Sequence, residues 1–377
     1  MDNIVGVKSR LTWAVNITVI ALVLLWTVPT FGLLVSSFRD RDQITTSGWW
    51  SSMFASERSI QVRAAPPGDA VEKDSQWVIA GNVFENGEGS LSAFGVNARR
   101  PAEFAPGATA ERRGAFITVQ SNGDYVITSA EQPEGSRGTR MFVTTVEPPK
   151  FTFENYNTVL FSEGIARSFI NTFTVTIPAT VIPILIAAFA AYALSWMEFP
   201  GRALLLATIV GLLVVPLQMS LIPLLKLHNQ FGIGKTYIGI WLAHTAFGLP
   251  LAIYLLRNYI AGLPREIIES ARVDGATDFE IFVRIVLPLS FPALASFAIF
   301  QFLWVWNDLL VATVFLGNSE EQLVMTGRLR ELLGSRGGNW EILSASAFVS
   351  IAVPLAVFFG MQKYLVRGLL AGSVKGG

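Results

Sequence analysis

The sequence predicts an all-α polytopic membrane protein: six transmembrane helices with both termini inside, and a β-rich extracytoplasmic insert between the first and second. Three observations carry this reading. Of 377 residues, 51% are hydrophobic and 15% charged, whereas soluble domains run at about 25% charged. Six stretches (12–35, 168–197, 203–225, 236–256, 288–316 and 342–362) reach the roughly 20 apolar residues a spanning helix needs. All six lack Lys, Arg, Asp and Glu except for Asp308 in the fifth. Finally, residues 39–150 change character, with charges, Gly and Pro around short β-branched runs.

Lys8 and Arg10 precede the first span, as in a signal peptide. A signal core is only about 7–15 residues long, and no small-residue cleavage pattern follows, so the span reads as a retained anchor. Positive residues stay inside, which places the N-terminus there. Six crossings return the C-terminus, with Lys363, Arg367 and Lys375, to the same side. The segment 257–287, carrying Arg257, Arg265, Arg272 and Arg284, also falls inside, and 226–235 with Lys226 and Lys235 falls outside. The chain divides into 1–38 (N-terminus and first span), 39–150 (insert) and 151–377, a five-helix core with an inside loop at 258–288.

Within the insert, QWVIAGNVF (76–84), GAFITVQ (114–120), DYVITS (124–129) and MFVTTVE (141–147) read as strands bounded by turn residues. SNGDY (121–125) reads as a hairpin turn, and the Pro- and Gly-rich 98–114 as a disordered tether. No catalytic constellation falls here, which leaves a structural role or contact with an external partner.

Several functions are excluded early. With 28 basic and 28 acidic residues the chain lacks the basic excess that nucleic acid demands. There is no cysteine, and two lone histidines, His228 and His244, do not make a metal cluster. GIGKT (232–236) resembles the end of a phosphate-binding loop, but Asn229 stands where that motif needs Gly. An enzyme would need a catalytic cluster that the chain lacks. A secondary transporter or channel subunit remains the alternative; it predicts inverted repeats or several charges along the path.

The inside loop is the most informative segment. Pro264 suits the first turn of a helix, Ile267, Ile268 and Ala271 share a face, and Gly275 is a stop. Thr277 and Glu280 form a T-x-x-E capping box that starts a second helix. Phe279, Phe282, Val283 and Val286 make its apolar stripe, Glu280 and Arg284 an i, i+4 pair. At about 15 Å this helix is too short to span. The pattern alone suits both an interfacial helix lying on lipid and a docking element for a groove on a soluble partner.

The run Glu269-Ser270-Ala271-x3-Gly275-x9-Ile285-x-Leu287-Pro288 resembles the EAA loop of bacterial ABC importer permeases, with Ser270 in place of the middle alanine. SFINTF (168–173), VPLQMSLIPLLKL (215–227) and FLWVWNDLL (302–310) are similar to the MalG-like subunit of the carbohydrate-uptake branch. The insert is similar to what α-glucoside-type relatives carry. The resemblance implies a permease subunit for a carbohydrate, partnered by a second homologous permease, two ATP-binding subunits and an extracytoplasmic sugar-binding protein. ATP and Mg would be bound by the ATPase partner, and this chain would hold no cofactor. It further implies that Glu269 pairs with a basic residue of the ATPase. Gly275 would supply the turn and Phe279 and Phe282 the apolar plug, with Ser270, Ala271, Asp274, Ile285, Leu287 and Pro288 completing the ATPase-coupling residues of the loop. The tail GLLAGSVKGG (368–377) would reach toward the ATPase dimer.

Polar residues inside an apolar span are functional candidates by default. Gln218 and Ser220, between Pro216 and Pro223 in a helix read as broken, join Asn307, Asp308 and Trp304 as the candidate substrate path. Asp308 is read first as a structural partner, and Trp241 and Trp306 as interface anchors that could also stack on sugar. In the last outside loop (317–342), the tip SRGGNW with Gly337, Gly338, Asn339 and Trp340 reads as flexible; the resemblance implies that it contacts the binding protein.

Overall fold

In a computed structural model of the chain, residues 10–84, 89–162 and 164–373 are described, with side chains for all but Arg10 and 365–373. Lys8, Arg367, Lys375 and the functional reading of 368–377 therefore lie outside the described positions or side chains. The chain forms two compact units, Met1–Phe153 and Glu154–Gly377.

The first unit opens with α1 (Arg10–Ser37), whose large side chains, such as Leu25 and Trp26, are exposed. An all-round apolar helix suits a lipid environment. A short helix, α2 (Arg41–Thr46), follows the buried Arg39, and its Gln43 ties the two ends of the insert together. Arg39 donates to Gln43 O at 2.7 Å and Ser47 O at 3.0 Å, while Gln43 donates to Pro148 O at 2.9 Å.

Among the described residues, eight antiparallel strands follow: β1 (Ser56–Arg63), β2 (Val71–Lys73), β3 (Gln76–Asn82), β4 (Leu91–Gly95), β5 (Thr109–Arg112), β6 (Ala115–Val119), β7 (Asp124–Ser129) and β8 (Arg140–Glu147). They make two sheets, ordered β1-β8-β4 and β2-β3-β7-β6-β5. All four runs read as strands are strands, and β6–β7 is the hairpin expected at 121–125. Phe94, Ile117, Val119, Met141 and Val143, all at 0% exposure, form one core drawn from both sheets. Two hairpins turn on adjacent residues of positive φ, Asp74 (52°) with Ser75 (63°) and Arg113 (52°) with Gly114 (77°). This is the mirror-image turn whose twist matches paired strands.

The tether reading of 98–114 is corrected. Phe104 pairs its backbone with Phe94 and stacks on it at 5.5 Å, and Ala110 in β5 is fully buried. Two well-placed apolar side chains fix a segment whose Pro and Gly content looks loose.

In the second unit, α3 (Glu154–Phe161) precedes α4 (Ile165–Trp196), which packs along α7 (Tyr237–Ile260). With α1 and α14 (Trp340–Ser373), four described helices are long and apolar enough to cross a membrane, or six if each of two bent pairs counts as one span. The third span, 203–225, read as broken near Pro216, is α5 (Arg202–Leu212) and α6 (Leu217–Gln230), bent by 107°. Pro216 stands at the start of α6, where it supplies no N–H and pushes the residue before it out of helical geometry. The fifth span, 288–316, is likewise broken. Its main part, α11 (Phe291–Trp306), meets the preceding helix at 70° and stops before α12 (Leu310–Phe315).

The shared core yields the first prediction. Phe94→Ala should cost about 3–5 kcal/mol, read as faster protease cleavage within 39–150 of the full chain. Cleavage unchanged from wild type would contradict the two-sheet core.

Candidate functional site

The loop after α7 contains α8 (Arg265–Val273), a Gly turn, and α9 (Asp278–Ile281), which runs through a π-turn (Phe282–Val286) into α10 (Leu287–Leu289). Pro264 caps α8. At its far end Gly275 N–H donates to Arg272 O and Ala276 N–H to Ala271 O, both at 3.0 Å. This is the Schellman pattern, which needs a left-handed residue; Gly275 supplies it at φ +82°. The capping box closes at once: Glu280 N–H donates to Thr277 Oγ1 at 3.3 Å, and Thr277 N–H donates to Glu280 Oε2 at 3.0 Å. These bonds from Thr277, backbone first, hold the Glu280 carboxyl below the usual carboxylate range.

One face of this helix pair is buried. Ile268, Ala271, Ile281, Phe282 and Val286 join Ala187, Ala191 and Leu194 of α4 and Leu256 and Ile260 of α7 in a single core. Each large side chain so buried contributes roughly 1.5–3 kcal/mol. Polar ties add direction. Asp278 accepts from Tyr192 Oη at 3.1 Å and from Arg272 at 3.3 Å, and Arg272 also donates to Trp196 O at 3.1 Å. The loop is thus fastened to α4 at its turn.

The opposite rim is exposed: Glu269, Ser270 and Asp274, with Phe279 at 65% and Val273 at 88%. Glu269 has no ion-pair partner among the described residues. Ile285 and Leu287 are half-buried and Pro288 is exposed. The expected Glu280–Arg284 pair is present at 3.8 Å. One assignment is corrected. Phe282 is no exposed plug; it is 3% exposed, with its ring 4.6 Å from Phe189 and 5.4 Å from Tyr192. The docked face claims it, which leaves Phe279 as the free aromatic.

The candidate path residues separate. Ser220 and Trp304 line one cleft of about 480 Å³ beside the break at 213–216, together with Leu213, Phe247 and Gln301. Gln218 is exposed and does not line it. Asn307 is exposed, and its side chain donates to Leu303 O at 2.7 Å. Asp308 is structural: it accepts from Val311 N–H at 3.2 Å and Ala312 N–H at 2.8 Å, capping α12. Its carboxylate lies 3.8 Å from the buried His244, which is edge-on to Trp304. Trp306 is buried and donates to Ser350 O at 3.0 Å, and Trp241 donates to Thr174 O at 2.8 Å, so both indoles are engaged within the protein. Sequence reasoning passed over Gln301. It is 3% exposed, donates to Ala179 O at 3.0 Å, and sits where a Cβ on Gly248 would come within 2.6 Å of it. A lone glutamine inside FAIFQFLWVW was the available signal.

The last loop is not a loose connection. It holds α13 (Met325–Ser335), pinned by Asn171 donating to Leu323 O at 3.1 Å and Met325 N–H donating to Thr172 Oγ1 at 2.8 Å. Arg328 is ion-paired with Glu320 and, at 3.1 Å, with Glu331. Gly337, Gly338 and Asn339 form a short turn into α14, and Trp340 is 56% exposed. The flexible-tip reading thus shrinks to a four-residue turn between two anchored helices.

Residues 161–370 match the family described as binding-protein-dependent transport system inner membrane component. The chain is 67% identical to the alpha-glucoside transport system permease protein AglG of Rhizobium meliloti (strain 1021), over 98% of this chain and 99% of that protein. It is 54% identical to the osmoprotective compounds uptake permease protein GgtD of Synechocystis sp. (strain PCC 6803), over 69% of this chain and 89% of that one. A solved bacterial ABC transporter involved in import of the acidic polysaccharide alginate aligns at TM-score 0.49 and 26% identity, over 58% of this chain and 81% of its own. A family match across more than half the chain and a relative matched along nearly its whole length settle the affiliation: the chain belongs to the binding-protein-dependent transport system inner membrane components.

Proposed function

We propose that the chain is a permease subunit of an ATP-driven importer for an α-glucoside, and that α8–α10 is where ATP hydrolysis in a partner subunit acts on it. The observation that carries the coupling role is the two-faced loop: one side fixed into α4 and α7, the other presenting Phe279, Val273 and Glu269, which has no ion-pair partner among the described residues. A soluble ATPase with an apolar cleft and a basic residue at its edge fits that rim, and ATP and Mg belong to that subunit. Movement imposed on the rim passes to α4 through the Asp278–Tyr192–Arg272 ties. The 67% identity to a protein named for alpha-glucosides supports the substrate class.

In this reading six crossings place both termini and α8–α10 on the cytoplasmic side. The insert and the 336–339 turn lie outside, where Trp340 is available to a sugar-binding protein. A second, homologous permease completes the path, with Ser220, Trp304 and Gln301 facing it at the broken third span.

Two predictions follow the two faces. In proteoliposomes holding the whole complex, Glu269→Lys or Gly275→Val should abolish sugar-stimulated ATP hydrolysis while the chain still inserts. Valine at Gly275 must adopt a left-handed backbone that costs about 1–2 kcal/mol. Normal uptake of an α-linked disaccharide by either variant would refute the coupling role. The aromatic pair should split: Phe279→Ala weakens co-purification of the ATPase and leaves thermal stability unchanged, whereas Phe282→Ala lowers stability by about 3–5 kcal/mol. Equal effects of the two on stability would show that the loop is not two-faced.

A further inference from the structure

A cleft of about 920 Å³ opens on the insert, within the roughly 300–1,000 Å³ of small-molecule sites. Arg63, Arg112, Arg113, Arg137 and Arg140 line it, against Glu131 and Glu134. In a chain of 28 basic and 28 acidic residues, five guanidiniums at one cleft are a strong local imbalance. Among the described residues none of the five forms an ion pair; the pairs that exist engage other residues, Arg58, Arg100, Arg272, Arg284, Arg328 and His244.

The fold brings these charges together at a cost. Arg63 and Arg140 are direct cross-strand partners in the β1–β8 ladder, where like charges destabilise. Arg112 donates through Nη1 to Arg140 O, and Arg63 donates to Gly138 O at 3.2 Å. Both guanidiniums are thereby held in place rather than free to spread into solvent. Burial, then the nearby charges of Arg113 and Arg140, hold the Arg112 pKa below its ordinary value. Arg113 occupies the first left-handed position of the β5–β6 turn, at φ +52°. Asn, Asp or Gly is favoured there, and a bulky residue costs about 1–2 kcal/mol. Such costs persist where function uses them.

We propose that this cleft is a binding site for a small oligoanion, a molecule bearing two or more carboxylate or phosphate groups. A neutral sugar offers hydroxyls but no charge to relieve the repulsion, whereas the guanidinium fork matches carboxylate and phosphate two bonds at a time. Glu131 and Glu134, on the loop between β7 and β8, bound the site and favour a compact anion over an extended acidic strand.

The test is calorimetric titration of the full chain in lipid nanodiscs with citrate and with tripolyphosphate, at constant ionic strength, with glucose as the neutral control. One-site binding of at least one anion is expected, and none of glucose. Arg137→Gln with Arg140→Gln should weaken it about tenfold or more, the loss of one or two charge-assisted bonds. Arg113→Gly separates binding from folding: affinity falls while the insert becomes equally or more resistant to protease. A purely structural cluster would not lose affinity in that variant. Absence of saturable binding by both anions, or equal affinity in wild type and the double variant, would overturn the proposal.

Discussion

A helix that stops inside hydrocarbon leaves backbone N–H and C=O groups with no water to bond, and the permease core is organised around meeting that demand. Where α11 ends, Asn307 turns its side chain back to Leu303 O, Asp308 receives two N–H groups of α12, and Thr326 donates to Asp308 O at 2.7 Å. At the membrane surface the same groups are met in kind: Arg202 donates to Met197 O and Ser195 O after α4, and Trp196 donates to Ile260 O at the end of α7. Polar side chains that look like substrate ligands in the sequence are often spent on these ends. That is why Asp308 and Asn307 leave the candidate path, while Ser220 and Trp304 stay at the cleft and Gln301 joins them.

The same demand shapes the loop. Its two short helices each end in a self-contained cap, so the turn at Gly275 needs nothing from outside to hold its form. Packing can therefore be devoted to one face only. The apolar side joins α4 and α7, and the rim keeps its charges and Phe279 unspent. A rigid element with one satisfied and one unsatisfied face is what an interaction with a separate subunit requires.

Features set by neighbours in the chain were legible in the sequence. The Schellman glycine, the Thr277–Glu280 box and the strands 124–129 and 141–147 depend on spacing and local chemistry. Features set by distant partners were not. Phe282 belongs to an apparent exposed stripe until Phe189 and Tyr192 are placed beside it. The order of 98–114 comes from Phe94 and the β6 ladder. Arg63 and Arg140 are far apart in sequence, and only the β1–β8 register sets them opposite each other. Pro216 did signal a break, but the bend of 107° follows from packing that no local rule encodes.

The π-turn at Phe282–Val286 has one more consequence. Leu287 N–H donates to Phe282 O, five residues back, immediately before Pro288, whose ring would press on the carbonyl of Arg284 in an ordinary helix. The widened turn accommodates that proline at the expense of one extra residue. Deleting the exposed Val283 would remove that extra residue, close the turn to ordinary helical pitch and set the Pro288 ring against the carbonyl four residues back, so that the segment beyond would have to shift against Phe279. The nine-residue gap between Gly275 and Ile285 is thus a phase setting as well as a spacer, and segment length here holds information that composition does not.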